Sequence, residues 1–295
     1  MNDIFDTCIE RGNFSTRYAQ RRSPASILVV SWNIGRGARL QGIADFLGAV
    51  KADLVLLQEA DVNAKRSGRR HVARELARRL RLNYVFAAEF EELAQGSAES
   101  PAWHGQATLS PWPLTSAESL RFRTQSGFWR PRWFLPNIDV LQRRIGGRIA
   151  LFSEVQIGDH RVLNWNLHLE SRGGDKLRCS QLAECLTDID RHDAGLPILL
   201  AGDLNMNILR KRAFQLIERS QFDGISWEQP TPTTPAGLMG GITEPIDWIF
   251  ARGPLRPVNV RVHRSILASD HYPISMNLIV REGARRRSKL GTDAG

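Results

Sequence analysis

Cysteine is scarce in this chain, with Cys8, Cys179 and Cys185 the only three among 295 residues. Three thiols make no disulfide scaffold, and Cys179 and Cys185 have no companions at the spacing of a tetrahedral zinc site. The expectation is reduced, structural thiols in a cytoplasmic protein. No run approaches the roughly 20 apolar residues of a membrane helix. The opening segment MNDIFDTCIERGNFSTRYAQRRSPAS has no apolar stretch, so it does not read as a secretory signal. There is no Gly-x-Ser-x-Gly elbow for a serine hydrolase. Gly35-Arg36-Gly37 lacks the Lys-Ser/Thr that completes a phosphate loop. Internal repeats and low-complexity linkers are missing too, which favours one domain over two.

Positive charge is abundant. Lys and Arg total 40 against 31 Asp and Glu, a net charge of +9. A surface this basic favours polyanionic partners such as nucleic acid, anionic lipid or phosphorylated ligands. Two segments concentrate it. Lys65, Arg66, Arg69, Arg70, Arg74, Arg78, Arg79 and Arg81 crowd one stretch. In the other, Arg121, Arg123, Arg130, Arg132, Arg143, Arg144 and Arg148 interleave with Phe122, Phe128, Trp129, Trp133 and Phe134. Arginines hold phosphates while exposed aromatics stack bases. The plainer readings are a solvated helix face for the first segment and an aromatic loop packed on the core for the second.

Hydrophobic residues make up 42% and charged residues 24%, an ordinary globular balance. Residues 1–25 read as a polar N-terminal arm, 26–281 as the folded domain, and 282–295 as a basic, disordered tail. Short apolar runs predict strands at Ile27–Trp32, Leu54–Gln58, Tyr84–Ala87, Gln106–Ser110, Ile149–Ile157, Arg161–Asn166, Ile198–Ala201, Trp248–Ala251, Asn259–His263 and Ser275–Val280. Gly158-Asp159 between two of them is a hairpin signal. Helical spacing links Leu40, Ile43, Phe46, Leu47 and Val50, then Val72, Leu76 and Leu80, then Leu182, Cys185, Leu186 and Ile189. Many strands with few helices predict an α/β protein with mixed sheets.

Polar residues fall at the ends of these runs, where layered α/β folds gather side chains from distant parts of a chain. The set is Asn33, Glu59, His168, Asp203, Asn205, Asp247, Asp270 and His271. Oxygen donors from Glu59, Asp270 and Asn33 suit Mg²⁺, with Mn²⁺ as a substitute. Asp247 is a carboxylate able to hold a histidine as imidazolium. Asp203 beside Asn205 suits the orientation and deprotonation of a water. A metal and cations around one point suit a phosphate undergoing displacement. His160, His192 and His263 are left as surface or structural residues.

In order, Ser31-Trp32-Asn33, Leu57-Gln58-Glu59, Gly105–Ser110, Asn166–His168, Gly202–Asn205, Ile246–Trp248 and Ser269–Pro273 resemble the motifs of the endonuclease/exonuclease/phosphatase superfamily, over roughly residues 27–280. The resemblance implies a four-layer α/β sandwich, two mixed β-sheets packed face to face with helices on the outside, and a Mg²⁺-dependent phosphoesterase. It implies that Glu59 binds the metal with Asn33 and Asp270 near it, and that Asp203 and Asn205 position the attacking water. His271 would contact the scissile phosphate, oriented by Asp247, and His168 would be a second phosphate contact or a proton donor. Gly105-Gln106 departs from the usual Gly-Asn, which weakens a catalytic role there. Leu204 and Trp248 read as packing changes. His168 stands where the abasic-site endonucleases carry a tyrosine-containing motif. His168–Ser171 followed by Arg178 and Gln181 looks closer to the tyrosyl-DNA phosphodiesterase, deadenylase and phosphatase branches. The expectation is a monomeric phosphodiesterase acting on nucleic acid, DNA first, with Arg130, Arg132, Arg143 and Arg144 binding substrate. The alternative is a phosphatase or phospholipase-type enzyme acting on a small phosphorylated compound or a phospholipid.

Overall fold

The computed structural model describes residues 9–15, 23–129, 132–136, 143–209, 211–223, 233–235 and 245–281. The elements in chain order are β1 (Ile9–Asn13), β2 (Ser26–Arg36), α1 (Leu40–Val50), β3 (Leu54–Val62), α2 (Val72–Leu80), β4 (Asn83–Glu92), β5 (Trp103–Ser110), β6 (Leu114–Arg121), β7 (Arg144–Gly146), β8 (Ile149–Ile157), β9 (His160–His168), α3 (Asp175–Ile189), β10 (Ile198–Asp203), α4 (Lys211–Arg219), β11 (Asp247–Arg252), β12 (Leu255–Val262) and β13 (Ile274–Val280). Every apolar run that predicts a strand lies in one, except that Asn259–His263 runs one residue past the end of β12, and the β8–β9 hairpin turns at Gly158, whose φ is +57°.

The strands form two sheets. One runs β1-β4-β5-β3-β2-β13-β12, with β7 pairing on β4; the other runs β11-β10-β9-β8-β6. Each contains a parallel pair, β2 with β3 and β9 with β10, among antiparallel neighbours. Alternation along the strands sorts side chains into layers. Ile27 and Val29 of β2 join Leu54 and Leu56 of β3 against Leu199, Ala201, Ile249 and Ala251 of the second sheet. The residues between them face outward: Val30, Trp32 and Ile34 pack under Ile43 and Leu47 of α1 and under Val72 and Leu76 of α2. On the opposite side Leu163, Trp165 and Leu200 pack under Leu182, Cys185 and Ile189 of α3 and Ala213 and Ile217 of α4. The sandwich therefore has helix, sheet, sheet and helix layers. Each fully buried Leu, Ile, Val or Phe contributes roughly 1.5–3 kcal/mol of transfer free energy.

The N-terminal segment is partly structural. Ile9–Asn13 adds an edge strand to β4, and Glu10 receives hydrogen bonds from Tyr84 Oη, from Arg74 Nε at 3.0 Å and faces His71 Nε2 at 2.9 Å. Its composition hid this, because a short edge strand held by side-chain polar contacts shows no apolar alternation. β6, β7 and α4 had no expectation either. The 282–295 tail lies outside the described residues. No helix among the described residues is long and apolar enough to cross a membrane.

Candidate functional site

Strand ends from both sheets converge on one rim. Asp247 on β11 lies opposite Asp203 on β10, and Asp203 lies opposite His168 on β9. Gly202 is required here: its φ is +146°, and a Cβ at that position would fall 1.9 Å from the carbonyl of Leu167. On the other sheet Asn33 of β2 lies opposite Gln58 of β3. Asn33 Nδ2 donates to Asp203 Oδ2 at 3.0 Å, so the two sheets meet by a hydrogen bond inside the site.

Glu59 sits where the sheet breaks. The β2–β3 register shifts between Asn33 and Arg36, and the β3–β5 register shifts between Leu57 and Ala60. Glu59 itself has φ +57°. Such a bulge re-aims a side chain, and a left-handed non-glycine residue costs on the order of 1–3 kcal/mol unless its surroundings hold it. Asn166 holds it from the opposite sheet. Its Nδ2 donates to the carbonyls of Leu57 at 2.9 Å and Ala107 at 3.0 Å, and its Oδ1 accepts from Gln58 Nε2 at 2.7 Å. The carbonyls freed by the broken ladder are thus satisfied, as buried backbone must be.

The Glu59 carboxylate is part-exposed, with His168 Nε2 4.0 Å from its Oε1. Burial alone would raise its pKa, but the positive charges of His104, Arg148, Arg36 and His271 outweigh burial and hold it below the ordinary value. It stays an ionised oxygen donor. Asp270 is exposed on the loop before β13. That loop is fastened to β2: Ser269 Oγ donates to the Asn33 carbonyl at 2.7 Å, and Trp32 Nε1 donates to the His271 carbonyl at 2.9 Å.

Asp203, Asp247 and His271 form a continuous chain. His271 Nδ1 lies 2.8 Å from Asp247 Oδ2, and its Nε2 lies 3.7 Å from Asp203 Oδ2. Burial disfavours the imidazolium, but Asp247 and Asp203 overcome it and push the His271 pKa up to about 10. Asp203 is pushed up to about 7, first by burial and then by Asp247, against the pull of His271 and the Asn33 and Asn205 N–H donors. The ligand atoms of this trio lie within 4.8 Å of one another, near enough to hold a divalent ion. A ligating imidazole needs a bare nitrogen, however, and His271 keeps both protons between two carboxylates. Flanked by Asp247 and Asp203, the imidazolium makes this a carboxylate–imidazolium–carboxylate chain, while Glu59 is an ionised, part-exposed carboxylate on the same rim. Asn205 closes the arrangement: its N–H donates to Asp203 Oδ1 at 2.8 Å and its Nδ2 to the Leu169 carbonyl at 3.0 Å.

The structure thus brings Asn33, Glu59, His168, Asp203, Asn205, Asp247 and His271 to one rim, with Asp270 on the adjoining loop. It does not treat the expected arginines alike. Arg132 and Arg143 are exposed. Arg144 is turned inward, its Nη2 2.8 Å from Glu92 Oε1 and its guanidinium 5.0 Å and 5.1 Å from the Phe90 and Trp129 ring centroids. A cation with a buried carboxylate at hand stays with it, so Arg144 does not offer a charge to solvent. Arg130 lies outside the described residues. The aromatic segment divides the same way: Phe122 and Trp129 are buried, while Phe128 is 52%, Phe134 63% and Trp133 96% exposed.

Sequence reasoning missed Glu89, Asp61 and His104, and it placed Arg66 and Arg148 in the basic segments without their buried partners. Glu89 and Arg148 are buried beside His168, and Asp61, Arg66 and His104 form a second buried ion cluster behind Glu59. The available signal was a lone charge inside an apolar strand, as in Ala87-Ala88-Glu89-Phe90. Gln106 is structural: its Nε2 donates to Glu89 Oε1 at 2.6 Å and to the Ile149 carbonyl at 2.9 Å. Arg178 and Gln181 hold the turn after His168: Arg178 Nε donates to the Glu170 carbonyl at 2.7 Å and Gln181 Oε1 accepts from the Glu170 N–H at 3.0 Å.

Comparison with known proteins agrees with this fold. The family described as Endonuclease/Exonuclease/phosphatase matches residues 30–271. No curated protein matches the chain. Among solved structures, an endonuclease/exonuclease/phosphatase from Beutenbergia cavernae superposes with a TM-score of 0.65 at 19% identity, covering 88% of this chain and 72% of that one. Truncated TDP2 from Caenorhabditis elegans gives 0.58 at 21% identity over 86% and 98% of the two chains. A Bacteroides thetaiotaomicron protein of the family gives 0.60 at 16% identity over 87% and 98%. At these identities the structural likeness speaks for the fold, while the family match spans most of the chain and carries the motifs. Family members include nucleases and phosphatases, and they typically bind a divalent metal. The chain belongs to the endonuclease/exonuclease/phosphatase family, whose members are hydrolases of phosphoester bonds.

Proposed function

We propose that this protein is a Mg²⁺-dependent phosphodiesterase that hydrolyses nucleic acid, with DNA as the leading substrate. The carrying observation is the pairing, on one rim, of an ionised oxygen donor, Glu59, with the Asp203–His271–Asp247 relay. The donor set fits a hard cation: Glu59, Asp270 and Asn33 Oδ1 offer oxygen only. When bound, the ion supplies Lewis-acid charge stabilisation to a phosphoryl oxygen.

The protein's own groups account for the rest. Asp203, with a pKa near neutrality, accepts a proton from a water and is held in place by the Asn33 and Asn205 N–H donors. His271, kept as imidazolium by Asp247, presents positive charge where the phosphorane's negative charge grows. The net charge of +9 with exposed Phe128, Trp133 and Phe134 supports a polyanion carrying flat bases. A second reading, a phospholipid head-group phosphodiester, is favoured by the same exposed aromatics together with Leu267, which is 59% exposed.

The test is binding of an Asp203→Asn variant to a short duplex and a single strand across salt concentration. Several arginines neutralising phosphates at once give a steep slope, since each contact releases counterions. Arg132→Ala and Arg143→Ala together should flatten it, and Arg144 is left intact because its charge serves Glu92. A panel of plasmid, single strand, inositol phosphates and sphingomyelin, with Mg²⁺, Mn²⁺ or chelator, reads the reaction itself. A flat slope with sphingomyelin turnover would replace the nucleic-acid reading with the lipid one.

A further inference from the structure

Arg148 is a charged side chain with only 2% exposure, buried beside the site. Its Nη1 lies 2.8 Å from Glu89 Oε2 and 2.8 Å from His168 Nδ1, and its Nη2 donates to Ser171 Oγ at 3.2 Å. Its guanidinium also sits 5.2 Å from the Phe90 ring centroid, so packing fixes it from another side. A guanidinium has donors and no acceptor. His168 Nδ1 must therefore be the acceptor and carry no proton. The proton of the neutral ring then sits on Nε2, which points into the site, 3.6 Å from Asp203 Oδ2 and 4.0 Å from Glu59 Oε1.

We propose that Arg148, held by Glu89, is a positioning residue that locks His168 as the neutral Nε2–H tautomer, so that His168 is a hydrogen-bond donor to a phosphoryl oxygen and not the acid that protonates the leaving group. The two histidines of the site are thereby set apart. His271 faces carboxylates on both nitrogens and is charged; His168 faces a cation on one nitrogen and is neutral. A neutral imidazole that released its proton would become imidazolate, an anion far too basic to form at neutral pH. Carboxylate Glu89 stands 3.7 Å from His168 Nδ1, close enough to charge the ring, and Arg148 is interposed between them. The assignment of His168 as a donor to phosphate rests on the phosphoesterase reading; the tautomer does not.

The full chain labelled with ¹⁵N-histidine gives the direct test by NMR at neutral pH. A bare Nδ1 and a protonated Nε2 at His168 are expected; an imidazolium, or a proton on Nδ1, overturns the proposal. In Arg148→Met the interposed cation is gone and Glu89 faces the ring, so Nδ1 should gain a proton; a bare Nδ1 in that variant overturns the role of Arg148. Arg148→Lys should restore the bare Nδ1, and it keeps the test decisive where the methionine variant does not fold. Kinetics separate donor from acid. His168→Ala should slow a thymidine dinucleotide and thymidine 5′-phosphate 4-nitrophenyl ester by similar factors, about 100-fold. Nitrophenolate leaves without a proton, so a loss confined to the dinucleotide would make His168 the acid. If the wild type turns over neither ester, the phosphodiesterase reading fails while the NMR result still decides the tautomer.

Discussion

Replacing Asp247 with Asn removes one charge and keeps the shape. Asp247 is buried, and its Oδ2 lies 2.8 Å from His271 Nδ1. Burial works against the imidazolium, yet Asp247 and then Asp203 carry the His271 pKa from its ordinary 6.5 to about 10. At about 1.4 kcal/mol per pH unit, that is worth roughly 5 kcal/mol of folded-state preference for the charged ring. The folded pKa lies above the unfolded one, so this stabilisation is complete below about pH 6.5 and is lost as pH rises through 10. Asp203, raised from 3.8 to about 7, also lowers stability as pH rises, but over the lower window between those values. From pH 7 upward the difference between the wild type and the Asp247 variant isolates His271, because the Cys179 and Cys185 thiols, also raised by burial, are common to both. Urea unfolding of the wild type should show a steep loss of stability between pH 7 and 10. Asp247→Asn should be about 3 kcal/mol less stable at pH 7, as expected for a broken buried ion pair, with a clearly shallower slope above it. A histidine NMR titration should place His271 about 2 units lower in the variant. The reasoning is refuted if the slope is unchanged and His271 still titrates near 10.

Three further outcomes are expected. Glu59→Gln should lower activity at limiting Mg²⁺ by about 100-fold and abolish the rise in melting temperature that Mg²⁺ gives the wild type; a full Mg²⁺ response would remove Glu59 as principal donor. Asp61 is held at a pKa of about 2, because hydrogen bonds and charge from Arg66 and His104 outweigh its burial, so its stabilisation is present above about pH 4 and is lost as pH falls through 2. Asp61→Asn should remove about 2 kcal/mol at pH 7 and flatten the acid limb of the unfolding curve, and an identical acid limb would refute the assignment. Asn166→Ala leaves the Leu57 and Ala107 carbonyls unpaired between the sheets and should cost about 3 kcal/mol in urea unfolding, against near zero if water replaces the amide.

Much of the fold was legible because most strands are buried on both faces and read as apolar runs. Ile27–Trp32 and Ile198–Ala201 need no partner to be recognised, since Val, Ile and Leu in short blocks fit only a covered strand. β1, β7 and α4 were not legible. β1 and β7 owe their place to side chains elsewhere: Glu10 to Arg74 and Tyr84, and Arg144 to Glu92.

The ordered motifs by themselves pointed to the family and, through that resemblance, to the layer order, and the rim residues were legible because each motif lies at one end of an apolar run. The sequence also determined that the donor set is oxygen-rich. Only the tertiary structure decided protonation and direction. Whether a histidine is charged depends on what faces each ring nitrogen, and the partners of His168 and His271 come from Arg148 and Asp247, which are 20 and 24 residues away. Whether an arginine meets solvent depends on a buried carboxylate brought to it by another strand, which is why Arg144 turns inward while Arg132 and Arg143 do not. The aim of Glu59 needed the bulge in β3 and Asn166 from the facing sheet to hold it, a contact across 109 residues that no local pattern encodes.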